Sequence, residues 1–269
     1  MLRQRPTNFV LNNSHVLARG LVFAGLGRVR GSLRYHDSSP YGRHGTITAA
    51  NASTGIVFDP TLNRFVFRIG AQADRVDAPV FAVPIGTNSF LISVWVNVNS
   101  TSSDAVGVIV SQGDTDAGEW MFRRNNALAD IYASSGWTLN TTGIWDTWTH
   151  YAITRAGAEL RLYQNGIYAA RDTTGDFDVN TTKGLQIGGA DSVSTRWLVG
   201  SIADVMIWVG RSDGLTYTDS TPLIQQLADP SNVMLSGLIQ PPKRKYYTLS
   251  VPLYTTKRYY KIGKRILRA

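Results

Sequence analysis

At 269 residues, 43% hydrophobic and 17% charged, the chain can bury one large core and is neither a disordered polymer nor a coiled coil. It has no Cys, which excludes a disulfide scaffold, a cysteine zinc site, an iron–sulfur cluster and a thiol nucleophile. The net charge of +8 is segregated: residues 1–34 hold six Arg and no acid, residues 241–269 hold nine Lys or Arg and no acid, and the body between them carries −7.

In chain order, residues 1–19 read as a basic arm bearing Arg3 and Arg5. Its first 13 residues lack the apolar run of a secretion signal, and no stretch of the chain approaches the roughly 20 apolar residues that span a bilayer, so no membrane partner is expected. Residues 20–236 read as one domain. Up to about residue 208 short β-prone runs alternate with turn signals at the spacing of an antiparallel sandwich. The clearest strands are Phe90–Val98, 106–111, 119–123, 127–133, 147–155, 158–164, 184–187 and 200–208. In the first of these Ser93, Trp95 and Asn97 alternate with Val94, Val96 and Val98, as in a strand with one buried face. Asn165-Gly166 between two apolar runs predicts a two-residue hairpin. A single helix is predicted at 221–228, with Thr221 as N-cap, Pro222 at the first helical position and Asp229-Pro230 as the stop.

Residues 237–269 read as a second basic arm. Pro241-Pro242 ends regular structure, and the run Lys243, Arg244, Lys245, Tyr246, Tyr247 is echoed by Lys257, Arg258, Tyr259, Tyr260, followed by Lys264 and Arg265. The residues between the two runs favour strands, and Pro252 confines them to a sheet edge or an extended arm that adds strands to a partner. A hairpin closing the chain's own sandwich is the alternative. The fold class is therefore all-β, a two-sheet antiparallel sandwich with extended basic N- and C-terminal arms.

The body resembles a known family. Trp145 to Arg155 (WDTWTHYAITR) followed by Leu160 to Gly166 (LRLYQNG) is similar to the corresponding segment of concanavalin A-like lectin/glucanase domains of the laminin G type. The loop Asp37-Ser38-Ser39-Pro40-Tyr41-Gly42-Arg43-His44-Gly45, the strand Phe90–Val98, Ile187-Gly188-Gly189 and the closing strand from Gly200 to Trp208 stand in the family's order. The resemblance covers about residues 20–230 and implies a jelly roll. Trp95, Trp148, Tyr163, Trp197 and Trp208 lie in apolar runs and are expected in the core. His150 is expected to be a structural, hydrogen-bonded histidine.

Catalysis is not expected. Glucanases need two carboxylates across the scissile bond, commonly from one strand, and the only Glu residues, Glu119 and Glu159, are far apart in sequence. There is no nucleophile elbow, phosphate-binding loop or histidine ligand spacing. No cofactor is expected. The resemblance implies a structural calcium between Asp37 and the closing strand, where Ala203 replaces the first acid and Asp204 remains. Asp114 and Asp116 form a second oxygen-rich turn, but a required metal is not expected at either place.

Three functions compete. Like-charged arms on an acidic body suit an assembly, and small lectin-like domains with basic, Tyr- and Pro-bearing arms look similar to decoration (cement) or other structural proteins of tailed bacteriophage virions. The partner is then an acidic capsid or virion surface, with homo-oligomers expected, the protein being made in the host cytoplasm and residing in the virion. The alternative is a carbohydrate-binding module in which Tyr41, Trp120 and Trp137 stack on a glycan. The third is nucleic-acid binding by the C-terminal arm, disfavoured because no nucleic-acid fold motif accompanies it. Five Asn-x-Ser/Thr matches (Asn12, Asn51, Asn99, Asn140, Asn180) are read as chance.

Overall fold

The computed structural model describes residues 10–11, 18–26, 30–49, 53–71, 73–81, 88–100, 106–113, 119–133, 137–173, 182–190, 196–210, 221–230, 239–240, 260–262 and 265–267. In chain order the strands are β1 (Val10–Leu11), β2 (Leu21–Leu26), β3 (Arg34–Asp37), β4 (Gly45–Thr48), β5 (Gly55–Asp59), β6 (Arg64–Ile69) and β7 (Arg75–Ala78). There follow β8 (Phe90–Val98), β9 (Val106–Gln112), β10 (Trp120–Asn125), β11 (Leu128–Ala133), β12 (Trp137–Thr142), β13 (Thr149–Ala156) and β14 (Glu159–Gln164). Then come β15 (Ile167–Asp172), β16 (Leu185–Ile187), β17 (Gly200–Val209), the helix α1 (Thr221–Leu227), β18 (Ile239–Gln240), β19 (Tyr260–Ile262) and β20 (Arg265–Leu267).

Every pairing among them is antiparallel, and β2 to β17 form the two layers of a jelly roll. One layer runs β2–β17–β8–β13–β14–β15, with the β5–β6 hairpin also joined to β17 through β6. The other runs β12–β11–β10–β9–β16–β7–β4–β3. β3 belongs to both: His36 and Asp37 pair with Leu26 and Gly25 of β2, whereas Arg34 and Tyr35 pair with Thr46 and Gly45 of β4. The main core fills the space between the layers, with Val94, Val96, Ile153 and Ile207 from one and Ile109, Trp120, Phe122 and Ile131 from the other. Phe122 and Tyr151 meet across the interface at 5.4 Å between ring centroids.

The central strands of the first layer are buried on both faces, which corrects the expectation that Phe90–Val98 exposes one of them. On the outer side Leu91, Ala152, Tyr163, Met206 and Trp208 pack with Ile224 and Leu227 of α1. Trp95 and Ala203 pack with Leu62 and Val66 from the β5–β6 hairpin, and the half-buried Trp148 joins them. The Trp95 indole N–H donates to the Leu227 carbonyl at 3.2 Å, tying the strand to the end of the helix. Of the five aromatics expected in the core, Trp95, Tyr163, Trp197 and Trp208 are buried.

The hairpin predicted at Asn165-Gly166 forms between β14 and β15, with φ of 51° and 78° at its two turn residues, the pair of positive values that a type I′ turn demands. The predicted helix ends one residue earlier, at Leu227. β1 pairs with β18, and β19 with β20, each as a separate two-stranded ladder. The described strand before β2 thus pairs with the one that follows α1, and neither joins the jelly-roll layers.

Candidate functional site

Asp37, at the end of β3, organises the loop 38–44. Its carboxylate accepts the Ala24 and Ser39 amides at 2.8 Å each, the Ser39 hydroxyl at 2.7 Å and the Arg43 amide at 2.7 Å. An Asp that accepts from the amide two residues on folds the chain back on itself, so the sequence Asp37-Ser38-Ser39 dictates the turn locally. The Asp37 amide in turn donates to Nδ1 of His44 at 3.1 Å, so in the neutral ring the proton sits on Nε2. The His36 and His44 rings meet edge to face at 5.3 Å.

This loop forms one wall of a cleft of about 730 Å³, lined by Ser32, Leu33, Arg34, Tyr41, Gly42, Arg43, His44, Gly45, Thr46 and Pro79. Pairing of β3 with β4 and of β4 with β7 brings the 32–34 turn and Pro79 to the loop across a sequence gap of nearly fifty residues. Tyr41 is 46% exposed and Leu33 68% exposed, so both present apolar surface at the cleft. Arg43 donates a guanidinium N–H to the Val80 carbonyl, which fixes its stem against the far wall. Among the described residues, the lining includes two Arg and a His and no carboxylate.

The sugar-stacking candidates separate. Tyr41 stands exposed at this cleft. Trp120 is wholly buried in the main core, its indole N–H donating to Gln112 Oε1 at 3.1 Å, because β10 begins there and turns the ring inward; it offers no face to a sugar. The Trp137 backbone opens β12, paired with Ala133, and its side chain lies outside the described residues.

The metal candidates are likewise divided. Asp37 has its oxygens occupied by four donors of the chain itself. Asp204 is buried in a break of the β17–β8 register with φ of 49°, and its partner is the Arg64 guanidinium rather than a cation site. Burial raises its pKa and Arg64 opposes that rise. Asp114 and Asp116 lie outside the described residues, and among the described ones no group of three or more His, Asp or Glu is placed to hold a metal.

Of the arm residues, Arg3, Arg5, Lys243, Arg244, Lys245, Tyr246, Tyr247, Lys257, Arg258, Tyr259 and Lys264 lie outside the described residues. The backbones of Tyr260 and Arg265 belong to the β19–β20 ladder.

Two arrangements bear on catalysis. Glu119 precedes β10 in one layer and Glu159 opens β14 in the other, where it accepts from Arg161 at 2.8 Å, so they form no facing pair on one strand. Ser93 Oγ and His150 Nε2 lie 2.9 Å apart, within nucleophile–base reach, yet both are buried and the other ring nitrogen of His150 has no hydrogen-bond partner among the described residues. A triad needs that nitrogen held by a third group and a path for substrate. His150 is thus a structural histidine beside Trp95, at 5.4 Å between rings.

A family model described as the concanavalin A-like lectin/glucanases superfamily matches residues 70–211. A search of curated protein sequences returns no match. Among solved structures, the chain is similar to the binding domain of Paraclostridial Mosquitocidal Protein 1, at 13% identity and a TM-score of 0.56 over 78% of this chain and 52% of that one. It is also similar to the receptor binding domain of botulinum neurotoxin D, at 13% identity and a TM-score of 0.57 over 78% and 53% of the two chains. A third is the binding domain of botulinum neurotoxin DC in complex with SialylT, at 14% identity and a TM-score of 0.58 over 78% and 52%. The chain spans about half the length of these solved domains, and at such identities the likeness is one of fold.

Proposed function

The chain belongs to the concanavalin A-like lectin/glucanases superfamily, and on that footing we propose that it is a non-catalytic attachment protein, its jelly roll displayed on a larger assembly and its basic arms gripping that assembly. The observation that carries this reading is the charge division: twelve positive charges and no acid in the arms, residues 1–19 and 237–269, against −4 in the body. Like charges so concentrated repel one another unless an acidic surface receives them. The β1–β18 pairing supports it further by joining the two basic ends of the chain. Our proposal for the assembly is a virion, with an acidic capsid or tail surface as partner and the body as its exposed decoration. The burial of Ser93 with His150 and the separation of Glu119 from Glu159 support a role in binding rather than chemistry.

The test compares the full chain with a variant carrying Gln at 243, 244, 245, 257 and 258. Both should give the same far-UV spectrum and melting point. Only the parent should co-sediment with virus particles purified from the cells that make it, and 0.5 M salt should release it. Loss of folding in the variant would put the segment in the core and overturn the reading, as would co-sedimentation unaffected by the five changes.

A second reading, a carbohydrate-binding module, is favoured by one observation: Tyr41 stands exposed in a cleft whose loop is held rigid by Asp37.

A further inference from the structure

We infer that the cleft between the 32–34 turn, the 41–44 loop and Pro79 binds a sugar bearing a carboxylate, with the sugar ring on Tyr41 and the carboxylate on Arg34 and Arg43. This deepens the sugar-binding reading and rests on it; the arm-mediated reading is independent of it.

The argument is one of complementarity. A saccharide presents an apolar C–H face and a polar edge, and Tyr41 and Leu33 supply exposed apolar faces of matching kind. The polar groups beside them are of one sign. Arg34 is exposed on β3, and Arg43 spends one of its five N–H donors on Val80. Among the described residues, the lining contains no carboxylate to neutralise them. A neutral sugar would leave two guanidinium groups facing hydroxyls, whereas a planar carboxylate accepts from such a fork in two parallel hydrogen bonds.

The loop is also preorganised. The Arg43 amide is held by Asp37, its guanidinium by Val80, and the His44 ring by the Asp37 amide. Gly42, with φ of 58°, makes the left-handed turn that sets Tyr41 and Arg43 on the same rim. Little ordering cost therefore falls on binding.

The experiment titrates the full chain, by calorimetry, with N-acetylneuraminic acid and with glucuronic acid, with glucuronamide and N-acetylglucosamine as neutral controls, and with oligo-glutamate as an acidic peptide. The acids are expected to bind at least about tenfold more tightly than the neutral sugars. Arg34→Gln and Tyr41→Ala should each weaken the acids by about tenfold or more, while the arm variant above binds as the parent does.

Equal binding of acid and neutral sugars, lost on Tyr41→Ala, would overturn the carboxylate assignment and leave the sugar-binding reading standing. No sugar binding at all would overturn both. Binding of oligo-glutamate alone, with the same dependence on Arg34, would overturn the saccharide in favour of an acidic protein segment. Acid binding that survives Arg34→Gln and Tyr41→Ala but vanishes with the arm variant would place the site in the arms and overturn the inference.

Discussion

Asn165 and His150 hold each other twice: the Asn165 amide donates to the His150 carbonyl at 2.8 Å, and the His150 amide donates to the Asn165 side-chain oxygen at 3.0 Å. The turn between β14 and β15 is thereby locked to the start of β13. Asn165→Ala should cost about 1–3 kcal/mol, since it removes one of these bonds and places Ala at a positive φ. Asn165→Gly should recover the conformational part only. At Gly166 a Cβ would lie 3.1 Å from both Ala228 Cβ and Gln225 Cα, so Gly166→Ala should strain the turn and push on α1. Urea unfolding of the three variants checks the order.

Acid stability follows from His150. Burial lowers its pKa to about 3 in the folded chain, against 6.5 for an unfolded one. Above pH 6.5 the ring is neutral in both states, and its environment costs nothing in protonation. As pH falls from 6.5 towards 3 the unfolded chain binds a proton that the folded one refuses, so stability declines over that window. The decline should amount to a few kcal/mol at most. His150→Leu should flatten this limb of the stability–pH curve, measured by denaturant melts between pH 3 and 8, even if it lowers stability at pH 7 through the lost bond to Ser93.

Arg64 and Asp204 should respond asymmetrically. Besides Asp204, the Arg64 guanidinium donates to the Leu62 carbonyl at 3.2 Å and to the Pro230 carbonyl at 2.5 Å, so one side chain clips the β5–β6 hairpin, the β17 irregularity and the segment after α1 together. Arg64→Ala leaves a buried carboxylate unpaired and should cost about 3–5 kcal/mol. Asp204→Asn keeps a residue tolerant of the positive φ and removes the buried charge, so its cost should be clearly smaller. Thermal melts at pH 7 decide the order.

Calcium should not stabilise the body. The Asp37 carboxylate already accepts four donors and Asp204 is paired with Arg64, so millimolar calcium or EDTA should leave the melting temperature unchanged. Asp37→Ala, by contrast, orphans buried amides and should cost about 2–4 kcal/mol. A calcium-dependent rise in melting temperature would contradict this.

The layers of the fold were legible where the signal is local. Asn165-Gly166 announces its own hairpin, and the WDTWTHYAITR run carries the buried β13. The rest depends on residues far away in sequence. The alternation along Phe90–Val98 implies one buried face, and only α1 and the β5–β6 hairpin, arriving from other parts of the chain, bury the second. Trp120 falls in the predicted strand 119–123, but only the pairing of β10 with β9, opposite Gln112, decides that its ring points inward and not to a sugar. In the cleft, Tyr41 was readable because it sits in a recognisable loop. Leu33, Arg34 and Pro79 were not, since only the β3–β4–β7 pairing makes them neighbours.

The double membership of β3 makes the two layers one creased ribbon instead of two plates laid together. Its outermost strands are β12 and β15, each laddered to a neighbour on one side only. Amide exchange should accordingly begin at residues 137–142 and 167–172 and reach the crease last. The rim formed by Arg34, Tyr41 and Arg43 is rooted at that crease, so it should keep its shape while those outer strands exchange.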